Sequence, residues 1–422
     1  MTSSPSIAVI GLGYVGLPLA VALARKFPTV GFDIAKERIA ELHRGFDRTD
    51  EVEPARLRAS TLKLSANTDD LKGAGVYIVT VPTPVDAANE PDLRPVLSAC
   101  RTVGQAMAKG AVVVFESTVY PGVTEDICGP ELEKISGLKR GVDFFLGYSP
   151  ERINPGDREH TVDRITKVVA GENADVSALL AKVYGAVTTG GVFQAASIRV
   201  AEAAKVIENS QRDINIAFIN EITMIFEKLG ISIYDVLDAS ATKWNFLNFK
   251  PGLVGGHCIG VDPFYLARCA QDRGHHPEII LAGRRINDGM GPWIAERVSA
   301  QLAPGSKVLM LGLTFKENVP DLRNSKVVDV IGELRRLGHE VTVHDPFADP
   351  VEAEHEYSET LMPSLDGAGG YDCVIGAVPH SPYLAFSQES FSVLVRPGGL
   401  VADVKGMWRG MDIPEGIRLW RL

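Results

Sequence analysis

The feature that most constrains this chain is a glycine pattern set between two short apolar runs. Ser6 to Ile10 is short and apolar, as a buried parallel strand is. Gly11-Leu12-Gly13-Tyr14-Val15-Gly16 follows, then a helical run from Leu17 to Lys26, then a second strand, Thr29 to Phe32, ending in Asp33. Strand, G-x-G-x-x-G, helix, strand and acid, in that order, are the fingerprint of a dinucleotide-binding βαβ unit. Gly11 permits the tight turn, Gly13 lets a pyrophosphate approach the backbone, and Gly16 lets helix and strand pack closely. The helix N-terminus offers N–H donors and a positive dipole to phosphates. Asp33 suits ribose hydroxyls and repels a 2′-phosphate, so the expected cofactor is NAD rather than NADP.

The α/β rhythm continues. Val76 to Val81 leads into Pro82-Thr83-Pro84, Ala111 to Phe115 into Glu116-Ser117-Thr118, and Phe144 to Tyr148 into Ser149-Pro150-Glu151. Ligands of open α/β sheets sit beyond the carboxyl ends of strands, which makes Thr83, Thr118 and Glu151 candidate site residues. The spacing then predicts one helix from Ser197 to Leu229, stopped by Gly230 and about 50 Å long. From Lys307 the rhythm returns, with strands at Lys307 to Leu311, Glu340 to His344, Cys373 to Val378 and Leu400 to Asp403. Met310-Leu311-Gly312 echoes Val9-Ile10-Gly11, and Val343-His344-Asp345 echoes Gly31-Phe32-Asp33. The expected architecture is therefore α/β, two Rossmann-like lobes joined by a long central helix. The second lobe lacks the later glycines, so Lys316, with Arg323, is expected to hold phosphates by side-chain charge.

The formal net charge of −10 argues against nucleic acid as a partner. Cys100, Cys128, Cys258, Cys269 and Cys373 are scattered without a C-x-x-C pair, which fits a reducing, cytoplasmic setting rather than a disulfide framework or a metal site. Ile7 to Ala24 is uncharged, but its glycines and Pro18 and the lack of a basic leader make it a strand–turn–helix, not a membrane span.

Two stretches carry chemistry. In Glu202-Ala203-Ala204-Lys205-Val206-Ile207-Glu208-Asn209, Lys205 and Asn209 share a helix face at i and i+4. In Gly255-Gly256-His257-Cys258-Ile259-Gly260-Val261-Asp262, a thiol sits in a glycine-rich loop with an aspartate four residues on. The loop is expected to run from Trp244 to Pro263. An amine, a thiol and a carboxylate are the parts of covalent chemistry on a carbonyl.

These motifs, with Val81-Pro82-Thr83-Pro84, Ser117-Thr118-Val119 and Phe315-Lys316, make the chain resemble the UDP-glucose/GDP-mannose dehydrogenase family from Gly11 to about Lys405. The resemblance implies an NAD-binding domain over 1–196, an all-helical dimerisation domain with the cysteine loop over 197–300, and a UDP-sugar-binding domain over 301–422. It implies four-electron oxidation of a sugar C6 alcohol to a carboxylate with two NAD. By that resemblance Cys258 traps the C6 aldehyde, Lys205 stabilises the oxyanion, and Asn209 holds a substrate oxygen. Asp262 and Thr118 position the water, and Glu151 assists thioester hydrolysis. Gly11, Gly13, Tyr14, Val15, Gly16, Asp33, Arg38, Thr83, Thr118 and Arg323 are the implied cofactor contacts. Glu151, Arg152, Lys205, Asn209, Gly255 and Lys316 are the implied substrate contacts. Two departures stand out: Arg152 where the glucose enzymes usually carry an aromatic, and Val261 where some relatives carry a lysine that contacts NAD. Tyr148 to Asp157 and His257 to Pro263 resemble the branch acting on UDP-N-acetylhexosamines. The expected substrate is UDP-N-acetylglucosamine or UDP-N-acetylgalactosamine, for polysaccharide biosynthesis, and the expected assembly a homodimer away from any membrane. UDP-N-acetylmannosamine and UDP-glucose are the alternatives within the family. A two-electron β-hydroxyacid dehydrogenase, which needs no cysteine, and a catalytically silent NAD-binding regulator are the alternatives outside it.

Overall fold

The computed structural model describes residues 4–86, 90–152, 163–256 and 259–422. His257, Cys258 and the segment 153–162 lie outside the described residues. The chain divides into two compact units: Met1–Glu208 with Phe264–His275, and Asn209–Pro263 with His276–Leu422. Residues 197–300 contribute to both.

The first unit is built on one sheet of eight strands: β1 (Ile7–Ile10), β2 (Thr29–Phe32), β3 (Lys63–Ser65), β4 (Val76–Val79), β5 (Ala111–Phe115), β6 (Phe144–Tyr148), β7 (Lys167–Gly171) and β8 (Val192–Gln194), in the order β3-β2-β1-β4-β5-β6-β7-β8. β1 pairs in parallel register with β2 and β4, Ile7 facing both Thr29 and Val76. Only the β6–β7 pairing is antiparallel, with Gly147 opposite Gly171. Successive side chains of a strand point to opposite faces. Accordingly Ala8, Ile10, Tyr77 and Val79 enter one core, and Ile7, Val9, Val76 and Ile78 the other. Burial on both faces explains why these strands read as unbroken apolar runs. β4 is shorter than expected. The Thr80 hydroxyl donates to the carbonyls of Ile10 and Gly11, and the chain then enters Pro82 and Pro84, which lack the N–H a strand ladder needs.

The second unit carries a five-stranded parallel sheet: β9 (Lys307–Leu311), β10 (Glu340–His344), β11 (Tyr371–Gly376), β12 (Val395–Asp403) and β13 (Arg418–Arg421), in the order β10-β9-β11-β12-β13. Val308 and Met310 face one core, Leu309 and Leu311 the other. The long helix spans Ile198–Leu229 and ends at Gly230, whose φ of +67° a β-carbon would resist. Within the second unit this helix is tied to the helix Glu278–Ser299. Arg284 donates to Asp213 at 2.7 Å, and Asn287 donates to the same oxygen at 2.7 Å, with all three residues buried.

Candidate active site

The nucleotide end of the first unit is built from β1, β2 and β4. Asp33 accepts from the N–H groups of Leu12 and Ala35, each at 2.9 Å, so it braces the glycine turn and keeps lone pairs for a further donor. Arg38 lies beneath the same turn: its Nε donates to the Leu12 carbonyl at 3.0 Å and its Nη2 to Asp47 at 2.6 Å. Its Nη1 is buried 3.9 Å from the Glu41 carboxylate, so the guanidinium serves the turn and its own helix. A β-carbon on Gly16 would stand 1.8 Å from the Gly11 carbonyl oxygen, whereas one on Gly13 would meet nothing within 4 Å. The third glycine is thus needed for packing and the second faces open space, as a pyrophosphate seat requires. Tyr14 and Val15 complete the turn, and no side chain caps the helix Gly16–Ala24, so no side chain competes with a phosphate at its positive end, although Leu17 and Leu19 already donate to the Gly13 and Val15 carbonyls. These residues fit NAD.

Further along the carboxyl edge, the Ser117 hydroxyl donates to the Val81 carbonyl at 2.6 Å and ties the segment of half-buried Thr118 to that of half-buried Thr83. Glu202, which sequence reasoning did not single out, braces the chain just beyond Thr118 by accepting from the N–H groups of Gly122 at 2.6 Å and Thr124 at 3.0 Å. Burial pushes its carboxyl up to about 7 against the pull of those bonds. It lies three residues before Lys205, on the same helix face. Glu151 is buried and accepts from the Arg152 N–H at 2.6 Å. Lys167, also unforeseen, lies 3.6 Å from Glu151 and 3.1 Å from Glu116. The Arg152 side chain pairs with Glu208 at 2.9 Å, both partly exposed. Lys205 and Asn209, one turn apart on the long helix, are 6% and 7% exposed, well below what an ordinary surface lysine or asparagine shows.

In the second unit, Asn209 donates its amide to Asp262 at 2.5 Å, so two of the expected residues meet directly. Asp262 was expected inside the glycine-rich loop from Trp244 to Pro263, but the structure takes it out of the loop. It opens the helix Asp262–Gln271, with Pro263 in the first turn, where an acid meets the positive end of the dipole. The loop before it is anchored at Gly252, which exchanges two hydrogen bonds with Asn220 at 3.0 and 2.8 Å. Gly255 and Gly256 pack on Phe315 and Asn324: a β-carbon on Gly255 would stand 2.6 Å from the Asn324 carbonyl oxygen, and one on Gly256 2.8 Å from the Phe315 ring. A small cleft lies beside them, lined by Gly255, Thr314, Phe315, Glu317, Lys326 and Lys405 among others. Burial pushes the Lys405 ammonium down while the Glu317 charge opposes the shift. Lys326 is occupied by Asp288 at 3.2 Å and Asp329 at 3.1 Å. Lys316, expected to supply charge here, is half-buried next to Phe315, and Arg323 is held in a two-pronged bond to Asp321 at 3.0 and 2.9 Å. Asp345, which echoes Asp33, is committed to the turn that carries Phe315 and Lys316. It accepts from Leu313 and Thr314 and lies 3.0 Å from His380. Burial opposes its ionisation, yet His380 and these N–H groups hold it down to about 2. Cys100, Cys128, Cys269 and Cys373 are free and buried. Among the described residues no group of three or more histidine, cysteine or acidic side chains could hold a metal ion, and no helix is long and apolar enough to cross a membrane.

Comparison with known proteins agrees with this geometry. The UDP-glucose/GDP-mannose dehydrogenase family matches in three parts: its NAD-binding domain over residues 5–188, its central domain over 199–289 and its UDP-binding domain over 309–410. The chain is 53% identical to protein CapL of Staphylococcus aureus, over 99% of both chains. It is 52% identical to the UDP-N-acetyl-D-glucosamine 6-dehydrogenase of Pseudomonas aeruginosa, over 94% of this chain and 96% of that one. Its fold matches the structure of the UDP-D-ManNAc dehydrogenase of Pyrococcus horikoshii with a TM-score of 0.88, at 30% identity over 99% and 98% of the two chains. An NAD seat in the first unit and a UDP-binding part in the second make this protein an NAD-dependent oxidoreductase of UDP-sugars. The chain belongs to the UDP-glucose/GDP-mannose dehydrogenase family.

Proposed function

We propose that the protein oxidises the C6 alcohol of a UDP-N-acetylhexosamine, UDP-N-acetylglucosamine or UDP-N-acetylgalactosamine, to the uronic acid through a thiohemiacetal and a thioester on Cys258. The observation that carries this reading is the Asn209–Asp262 hydrogen bond of 2.5 Å, which fixes a buried amide and a buried carboxylate at the end of the loop that bears Cys258. NAD, when bound, accepts the two electrons of each oxidation. The chain's own groups do the rest. Addition of the thiolate to the aldehyde forms the C–S bond and puts a negative charge on oxygen, which Lys205 and the Asn209 amide offset. After the second oxidation, water held by Asp262 and Thr118 attacks the thioester, its proton passes to Glu151, and the C–S bond breaks with its electron pair on sulfur. Gly11, Gly13, Tyr14, Val15, Gly16, Asp33, Arg38, Thr83 and Arg323 serve NAD. Gly255, Lys316 and Lys405 serve the UDP-sugar, and Arg152 reads the sugar.

The substrate reading is supported by 52% and 46% identity to enzymes of Pseudomonas aeruginosa and Salmonella typhi named UDP-N-acetyl-D-glucosamine 6-dehydrogenase. A site built to hydrogen-bond a C2 acetamido group rejects a sugar that lacks it, because buried polar groups are left unpaired. UDP-N-acetylmannosamine inverts the carbon that this contact reads. The test is kcat/KM for these UDP-sugars and UDP-glucose under one condition, with NADH counted per sugar consumed. Two NADH and preference for UDP-N-acetylglucosamine or its C4 epimer are expected. A count of one would refute the thioester route, and UDP-glucose as the best substrate would refute the branch.

A homodimer built on the long helix belongs to the same reading. Val200, Ile207, Phe218, Ile225 and Leu229 are 46–63% exposed. At 3.6 residues per turn they fall within about 40° of one another around the helix, an apolar stripe interrupted by the exposed Gln211. Phe218→Glu with Ile225→Glu is expected to convert the dimer to a monomer in light scattering, and an unchanged mass would place the interface elsewhere.

A further inference from the structure

The first unit holds a charged cluster to which neither oxidation assigns a role. Because β7 runs antiparallel to β6, its first residue, Lys167, arrives at the carboxyl edge of the parallel strands. There its Nζ donates to Glu116 Oε2 at 3.1 Å and lies 3.6 Å from Glu151 Oε2. The side chains of Lys167 and Glu116 are both 0% exposed. The Tyr184 hydroxyl donates to the other Glu116 oxygen at 2.5 Å, and its ring centre lies 5.3 Å from the ammonium. Among the described residues, Glu151 is thus faced by Lys167 from β7, Glu116 from the end of β5 and Tyr184 from the helix Ala174–Gly185. The partly exposed Arg152–Glu208 pair stands beside it.

A lysine that only stabilised the fold would need one acid. Here two carboxylates share one ammonium, with Lys167 and Glu116 fully buried and Glu151 nearly so, and with both acids ionised the cluster carries surplus negative charge. Burial, reinforced by Glu151, pushes Glu116 up to about 7 against the pull of Lys167. Burial also opposes the Lys167 charge, but the two glutamates outweigh it and raise the ammonium above its ordinary range. Where Glu116 is neutral, the ammonium serves Glu151 alone; where it is ionised, the ammonium is shared.

We propose that Lys167 and Glu116 are positioning residues for the hydrolytic step, Lys167 holding Glu151 in place as a carboxylate and Glu116 competing for that ammonium. The inference rests on the reading of Glu151 as the base of thioester hydrolysis. It is tested on the full-length enzyme with NAD and UDP-N-acetylglucosamine, by the pH dependence of steady-state acid formation and by the NADH burst. Lys167→Met removes the positive neighbour, so the acid limb of kcat is expected about one unit higher in pH. Glu116→Gln removes the competitor, so the limb is expected at lower pH than in wild type. Lys167→Arg keeps the charge and should keep the limb. All three should give the wild-type burst of two NADH per site. Should Lys167→Met fail to fold, Glu116→Gln and Lys167→Arg still decide. Limbs that stay put, or that move in the same direction in Lys167→Met and Glu116→Gln, would overturn the proposal. Glu151→Gln separates the two readings: wild-type turnover in that variant defeats the base itself, and this inference with it. Slow turnover after a normal burst, without opposite limb shifts, defeats this inference alone.

Discussion

Cys258→Ala is expected to bind NAD and UDP-sugar as wild type does, while net acid formation falls by at least about 10⁴-fold. Removing a covalent nucleophile costs factors of this order because no other group offers the same two-step route. A thiolate can bond to an aldehyde carbon, allow a second hydride to leave that carbon, and later depart from the thioester. Without it, the second oxidation lacks its substrate, and the aldehyde either returns to alcohol or leaves the site. Cys100, Cys128, Cys269 and Cys373 form the control set, since all four are buried thiols. Changed one at a time to alanine, each is expected to alter stability but not the number of NADH formed per sugar. Mass spectrometry of wild type quenched in turnover should show an added uronyl group on the peptide carrying Cys258. Acid formation at the wild-type rate by Cys258→Ala would sink the covalent reading while leaving the NAD and UDP-sugar assignments intact.

The parts of this molecule that were legible in the sequence are those whose physics is local. β2, β5, β6, β9 and β10 have the limits read from the sequence; β5 is buried and apolar from end to end, whereas β10 carries Glu340, Thr342 and His344 and was legible from its place in the α/β rhythm. Helix Ile198–Leu229 was legible because no proline interrupts it and Gly230 stops it. β3, β7 and β8 were not legible. β3 and β8 have three residues each, and Lys63, Lys167 and Gln194 make all three strands look like surface. Lys167 shows why: a lysine in a strand reads as exposed unless acids from elsewhere surround it, and Glu116 and Glu151 reach it only once the sheet has assembled. Arg323 has a partner that its charge alone did not suggest. Its charge suggested phosphate, but Asp321, two residues back, holds the guanidinium in a bidentate pair, so a phosphate would have to compete for it. Lys405 could have been found by the rule that located Thr118 and Glu151, because it stands two residues beyond the carboxyl end of β12. It was passed over in favour of Lys316, which shares a motif with Phe315. Arg38 was placed at the cofactor, and its geometry adds a second role, since it holds the Leu12 carbonyl in the glycine turn.

Lys205→Ala is expected to lower kcat by about 10²–10³-fold, the usual loss when one oxyanion donor is removed. The argument turns on burial. At 6% exposure Lys205 stands where water contributes little, and a charge there acts on a developing oxyanion more strongly than the same charge would in solvent. In the proposed mechanism this ammonium also favours the thiolate of Cys258, so its loss should slow trapping of the aldehyde as well as weaken the oxyanion. Both effects belong to steps after binding. The dissociation constant for UDP-N-acetylglucosamine, measured calorimetrically with NAD present, should therefore change far less than kcat. Lys205→Arg separates charge from shape: it keeps the positive charge but spreads it over a planar fork, and should recover only part of the rate. A fall in stability alone would show as a lower Tm with kcat per folded enzyme unchanged. If turnover were preserved in Lys205→Ala and the sugar bound weakly, Lys205 would be a substrate-holding group. The oxyanion would then fall to Asn209, whose amide is already fixed by Asp262 at 2.5 Å.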